Sequence, residues 1–124
     1  MYLLFDISVF NEISVTVFSD EQQQTIHVEA KNRDLLFVVS DLLKKEGVDP
    51  KEIIGIAVVI GAGSFTSTRI AVTVGNAWAY AKQIPIIGVS LEEAKDFDLL
   101  IQKLKKAKAG IYLSATYSGE PNIG

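Results

Sequence analysis

Residues 53–60 read IIGIAVVI, an apolar run broken only by Gly55. A strand with one wet face alternates apolar and polar residues. This run has no polar position, so it predicts a central strand covered on both faces. A sheet built around such a strand needs helices on either side, which points to an α/β class.

The flanking segments supply the other layers. Residues 2–9 form a short apolar run interrupted by Asp6, before the turn residues Asn11 and Glu12. Residues 13–18 alternate, with Ile13, Val15 and Val17 on one face and Ser14 and Thr16 on the other. After the turn SDEQQQ, residues 25–30 alternate again, with Ile26, Val28 and Ala30 inward. Three such strands on short turns predict an antiparallel meander. Residues 33–46 change to a helical pattern, closed by Lys44, Lys45 and Gly47. VDPKE is a turn. Residues 67–82 predict a second helix ending before Pro85, and residues 84–89 another apolar strand. Ser90 and Glu93 stand at capping-box spacing and open a short helix. Residues 98–108 predict a further helix ending near Gly110, and residues 111–117 a last alternating strand. The order β-β-β-α-β-α-β-α-β implies one domain with a mixed sheet and helices packed on it.

Composition excludes several functions. The chain has 124 residues, 48% of them hydrophobic, which is enough for a sizeable core. It has no Cys and one His, which removes disulfides and thiolate chemistry and leaves the commonest metal ligand nearly absent. A net charge of -3 with interspersed signs lacks the basic stripe of a nucleic-acid binder. No run approaches the ~20 apolar residues of a membrane span. MYLLFDISVF carries an acid and no basic leader, so it reads as a first strand and the expected location is cytoplasmic.

The stretch IGAGSFTSTRI, residues 60–70, lies between the buried strand and the second helix. A glycine turn at that place can hold phosphate on backbone N–H groups. The spacing does not fit a P-loop, because no Lys follows. Gly61 and Gly63 fit the start of a dinucleotide fingerprint, but Thr66 stands where the third glycine belongs and no acid closes the next strand. A tight strand-to-helix turn is the stronger reading of the residues. Arg69, placed in the first helical turn, would meet the positive end of the dipole and need a compensating neighbour, either a carboxylate, an anion or a partner protein. Asp6 reads as a hydrogen-bonded structural residue at a strand end, and His27 as a solvated residue on a polar strand face. Lys103, Lys105, Lys106 and Lys108 read as a solvated helix face rather than a phosphate contact.

In register, Gly61, Gly63, Ser64, Phe65, Thr66 and Arg69 resemble the G-P-G-S-F-T-G-x-R-x-G signature of the TsaB (YeaZ) family. Pro85, Gly88, Val89, Ser90, Leu91 and Glu92 resemble its later G-I-P-x-x-G-V-S-S-L-E-A-like segment. Ala62, Ser67 and Ala71 depart from it, where the family has Pro, Gly and Gly. The resemblance implies a ribonuclease H-like, actin-like ATPase lobe over residues 1–108. Residues 109–124 resemble the strand that enters a second lobe, so the chain is either naturally reduced or a fragment. It also implies a non-catalytic subunit that supports a TsaD-like transferase in making threonylcarbamoyl-adenosine in tRNA. A TsaE-like ATPase joins such complexes, tRNA is met only indirectly, and a homodimer is expected when the chain is alone. No catalytic residue, cofactor or metal is expected.

The helices agree with a partner role. Residues 35–39, LLFVV, point in every direction around a helix, and the second helix is apolar on more than one stripe. A helix with one face on a sheet needs a single stripe. Leu36, Phe37, Val39, Leu43, Val74, Trp78 and Ala81 are therefore expected at a helix-to-helix interface, against the alternative of a crowded internal core. Two other functions remain open at this point: a structural homodimer without a tRNA role, and a small nucleotide-binding or acyl-transfer enzyme using loop 61–69.

Overall fold

The computed structural model describes residues 1–29 and 34–114. Five strands form one sheet: β1 (Tyr2–Asp6), β2 (Glu12–Phe18), β3 (Gln23–Glu29), β4 (Ile56–Val59) and β5 (Ile86–Val89), in the order β3-β2-β1-β4-β5. β1 pairs antiparallel with β2 and parallel with β4, and β4 pairs parallel with β5. The meander and the crossover strands thus share one mixed sheet. Three helices cover it: α1 (Leu35–Glu46), α2 (Phe65–Lys82) and α3 (Phe97–Lys106).

The alternation along β1 and β2 divides the core in two. Leu3, Phe5, Val15 and Val17 are fully buried in a cluster with α1 and α2. Tyr2, Leu4 and Phe18 point the other way, into a cluster with Leu100, Ile101 and Leu104 of α3. All four residues of β4 are buried, as a run without polar positions requires. Gly75 lets α2 lie close to the sheet, because a Cβ there would stand 2.9 Å from Ile86 Cδ1. The outer strand β3 is mostly exposed. There His27 is solvated and Nδ1 lies 2.7 Å from Ser14 Oγ, and the Thr16 and Thr25 hydroxyls pair at 2.7 Å.

Local chemistry sets the ends. Asp34 caps α1 by accepting from Phe37 N–H, and Gly47 closes it in the left-handed region at φ 67°. Asp49 and Glu52 form a reciprocal capping box on a single 3-10 turn. Ser90 and Glu93 exchange the expected pair of bonds, Glu93 N–H to Ser90 Oγ at 3.0 Å and Ser90 N–H to Glu93 Oε1 at 2.9 Å. They open another 3-10 turn, Glu93–Lys95, rather than an α-helix. Asp96 then caps α3.

Three expectations change. α2 begins at Phe65, two residues before the expected start, because Ser64 rather than a later residue caps it. β4 and β5 are shorter than the apolar runs that contain them, since apolarity extends past the paired residues. Residues 111–114 form no strand. Asn76 instead holds Leu113 with both amide atoms, Nδ2 donating to its carbonyl at 3.0 Å and Oδ1 accepting its N–H at 2.9 Å. Ala30 and residues 115–117, also expected in strands, lie outside the described residues.

Lys103 Nζ lies 2.5 Å from Glu93 Oε2 and, with the Ser90 N–H, holds the Glu93 carboxyl below its ordinary value of 4.5. A carboxyl depressed in the folded state adds stability above its unfolded value, and that stability is lost as pH falls through the folded value. Glu93→Gln is therefore expected to lower the melting temperature at neutral pH. The gap to wild type should close as pH falls below 4.5, read by circular dichroism melts across pH.

Candidate functional site

The loop after β4 is shaped by its contact with the β1–β2 turn. Gly61 and Gly63 both take positive φ, 80° and 81°. Only at Gly63 is space also forbidden. A Cβ there would lie 2.7 Å from Ser8 Cα and 2.9 Å from Ser8 O, which are backbone atoms. Ser8 is fixed in turn by Asp6, whose Oδ1 accepts from Ser8 N–H at 2.9 Å and from Ser8 Oγ–H at 2.6 Å. The first-strand carboxylate thus braces the turn against which the glycine loop rests.

Ser64 then starts α2. Its Oγ accepts from Ser67 N–H at 3.0 Å and donates to Ser67 Oγ at 2.9 Å. Thr68 is buried and returns its hydroxyl to Ser64 O at 2.9 Å. The hydroxyls of Ser64, Ser67 and Thr68 are thus engaged at the helix start. Arg69 lies in the second turn, not the first, because the helix begins at Phe65. The dipole effect falls off within one turn, so the expected electrostatic penalty on Arg69 is relieved by position. The side chain of Phe65 lies outside the described part of the structure.

The expected interface residues separate into two sets. On α1, Leu35, Val38, Val39, Leu42 and Leu43 form the inward stripe. Val39 and Leu43 are therefore core residues, which corrects the expectation for these two. Leu36 and Phe37 point outward, 51% and 66% exposed. On α2, Ala71, Val72 and Ala79 face the sheet. Val74 and Trp78 are half-buried and Ala81 is exposed. Leu36, Val74, Trp78 and Ala81 come together with Ala77 and Pro50 in an open groove of about 490 Å³ between the two helices. Among the described residues, Trp78 Nε1 is buried without a hydrogen-bond partner. An unsatisfied donor of this kind costs about 1–3 kcal/mol.

Motif and groove are continuous. Thr66 and Arg69 share a cavity of about 350 Å³ with Ile70, Thr73 and Val74, and the last two also line the groove. Sequence reasoning missed the next neighbour. Phe10, at the tip of the β1–β2 turn, is 95% exposed and lines a further cavity with Ser64, Thr66 and Ile70. The signal was available in the pair Val9–Phe10 directly before turn residues. Among the described residues, no group of three or more His, Asp or Glu is placed to hold a metal, and no helix is long and apolar enough to cross a membrane. The lysine end of α3 lies on the opposite layer, with Lys103 engaged by Glu93.

An α/β lobe with a strand-to-helix glycine joint and an apolar two-helix face defines a class, and the comparisons make it specific. The model of the TsaD family, tRNA N6-adenosine threonylcarbamoyltransferase, matches residues 25–115, and the chain belongs to that family. YeaZ from Pseudomonas aeruginosa is similar at 32% identity with a TM-score of 0.65, over 72% of this chain and 44% of that one. A second structure has the same identity, TM-score and share of this chain. It is described as an uncharacterized protein with similarity to peptidase YEAZ from Pseudomonas aeruginosa, and 42% of it is covered. The chain therefore spans less than half the length of these solved relatives. No curated protein matches it. The fold is that of one actin-like ATPase lobe of the TsaB type.

The two glycines should differ when substituted. Gly61→Ala meets only the left-handed backbone cost of about 1–2 kcal/mol. Gly63→Ala adds a backbone collision and should destabilise by clearly more, measured as the difference between the two variants in urea unfolding.

Proposed function

We propose that this chain is a non-catalytic partner subunit supporting a TsaD-like transferase in threonylcarbamoyl-adenosine modification of tRNA. The observation that carries this reading is the apolar groove between α1 and α2, on a chain of the threonylcarbamoyltransferase family. Leu36, Phe37 and Tyr80 are exposed apolar or aromatic side chains on those helices, and Trp78 forms the groove wall. Trp and Tyr anchor interfaces more than most residues. Leu36 and Phe37 lie off the inward stripe with which α1 already covers the sheet.

The loop supports a supporting rather than a chemical role. The room beside Gly63 is filled by the Ser8 backbone, and the Asp6 carboxylate is engaged by Ser8. In this reading residues 1–108 act as a lobe and residues 109–124 lead toward a second one. A TsaE-like ATPase joins the pair, tRNA is reached through the transferase, and the setting is the cytoplasm.

Light scattering after size exclusion, on the chain alone and mixed with the TsaD-like protein of its source, tests this. A heterodimer formed at the expense of any homodimer is expected. Ala81→Glu places a charge in the groove at an exposed helical position. It should weaken that heterodimer by about tenfold or more and leave the melting temperature nearly unchanged. A homodimer indifferent to the transferase would overturn the proposal and favour a structural self-association.

A further inference from the structure

We infer that Asn76 clamps the chain to α2 so that residues 115–124 are laid over the N-terminal half of that helix, with Glu120 paired to Arg69. The argument begins with direction. Leu104, near the end of α3, packs beside Gly55 and Tyr2, at the end of the sheet where β1 and β4 begin. From there the chain climbs. Tyr112 meets Tyr80 near the C-terminal end of α2, with ring centroids 6.2 Å apart. Leu113 lies about one helical turn further along, its carbonyl and N–H held by the two amide atoms of Asn76 at 3.0 and 2.9 Å. Its side chain lies beside Gly88, next to the last residue of β5. Because α2 crosses between the parallel strands β4 and β5, it runs opposite to them. The chain is therefore heading for the start of α2 and the glycine loop.

The second part of the argument is register. Tyr80, Asn76, Thr73 and Arg69 follow one another at helical spacing and form a single stripe along α2. The first two hold residues 112 and 113. The last two, with Thr66, Ile70 and Val74, line an open cavity of about 350 Å³. From Asn76 to Arg69 the helix rises about 10 Å. About three extended residues cover that distance, which brings Thr116 and Tyr117 level with Arg69. Third, the charges match. The charged residues of α2 are Arg69 and Lys82, and Lys82 lies at the far end. Residues 115–124, ATYSGEPNIG, carry one charged side chain, Glu120. Ser118 and Gly119 are a turn pair, and a turn there sets the Glu120 carboxylate beside the guanidinium. An exposed ion pair shifts the ratio of docked to free segment by at most about fivefold. It acts because the Asn76 clamp already holds the segment close to its site.

This inference stands apart from the role of the α1–α2 groove, and its test needs no partner protein. The chain has no Cys, so Ser118→Cys gives one attachment point for a nitroxide. In the full-length, nitrogen-15-labelled chain the spin label is expected to broaden the amide signals of Thr66, Arg69, Ile70 and Thr73, and to leave Leu36 and Ser40 sharp. Arg69→Glu and Glu120→Arg should each reduce that broadening, and the double reversal should restore it. Asn76→Ala should reduce it as well, with circular dichroism melts showing that the variant still folds. Broadening spread evenly over the surface, or centred on another face, overturns the inference. So does broadening that disappears when the labelled chain is diluted into excess unlabelled chain, because the segment then comes from a second copy. A double reversal no better than the single ones overturns the Glu120–Arg69 pairing, and unchanged broadening in Asn76→Ala overturns the clamp.

Discussion

The parallel pairing of β1 with β4 governs the rest of the molecule. Leu3, Leu4 and Phe5 pair with Ile56, Ala57 and Val58, and side chains on both faces of this pair are buried. Backbone groups there have no access to water, so each must be met by a neighbouring strand. β2 and β5 supply those partners on the outer edges. Parallel strands also cannot be joined by a tight turn, so the chain must cross over through helices. α1 and α2 make those crossovers on one face and create the groove between them, while α3, after β5, covers the other face.

The same pairing brings the ends of β1 and β4 side by side, and this is where the glycine loop acquires its role. The turn leaving β1 and the loop leaving β4 compete for one volume. The conflict is resolved by removing a side chain at Gly63 and bracing Ser8 with Asp6. A glycine-rich loop of this kind looks the same in sequence whether its open side receives a phosphate or another stretch of backbone. Here the second answer holds at Gly63. The joint also fixes the direction of α2, because Ser64 caps the helix one residue later.

Much of this was legible in the residues. The period-2 alternation of Ile13, Val15 and Val17 survives as a buried face, and Gly47 closes α1 in the left-handed region. The strand order rests on the all-apolar run that becomes β4. What was illegible has physical causes. LLFVV tells that a helix is apolar all round but not which residues meet the sheet, so Val39 and Leu43 were placed outward. Their burial depends on the rotation of α1, and that is set by packing. The start of α2 was misplaced because Ser64 and Ser67 are both competent caps, and local sequence does not choose between them. Residues 111–114 alternate like a strand, but Asn76 offers their backbone both a donor and an acceptor from a helix.

α2 carries three obligations at once. With 3.6 residues per turn, its surface divides into directions about 100° apart. Ala71, Val72, Gly75 and Ala79 serve the sheet, where small residues permit close approach. Asn76 and Tyr80 serve residues 111–114, through the amide pair and a ring contact with Tyr112 at 6.2 Å. Thr73, Val74, Ala77, Trp78 and Ala81 serve the groove. The first two sets are satisfied inside the chain, and their residue types follow from what they touch. In the third set Val74 and Trp78 also pack partly against the core, Thr73, Ala77 and Ala81 line the groove, and among the described residues the buried indole N–H has no partner. On the reading proposed above, the apolar side chains left open along the groove, Ala77 and Ala81 among them, are where a partner would sit.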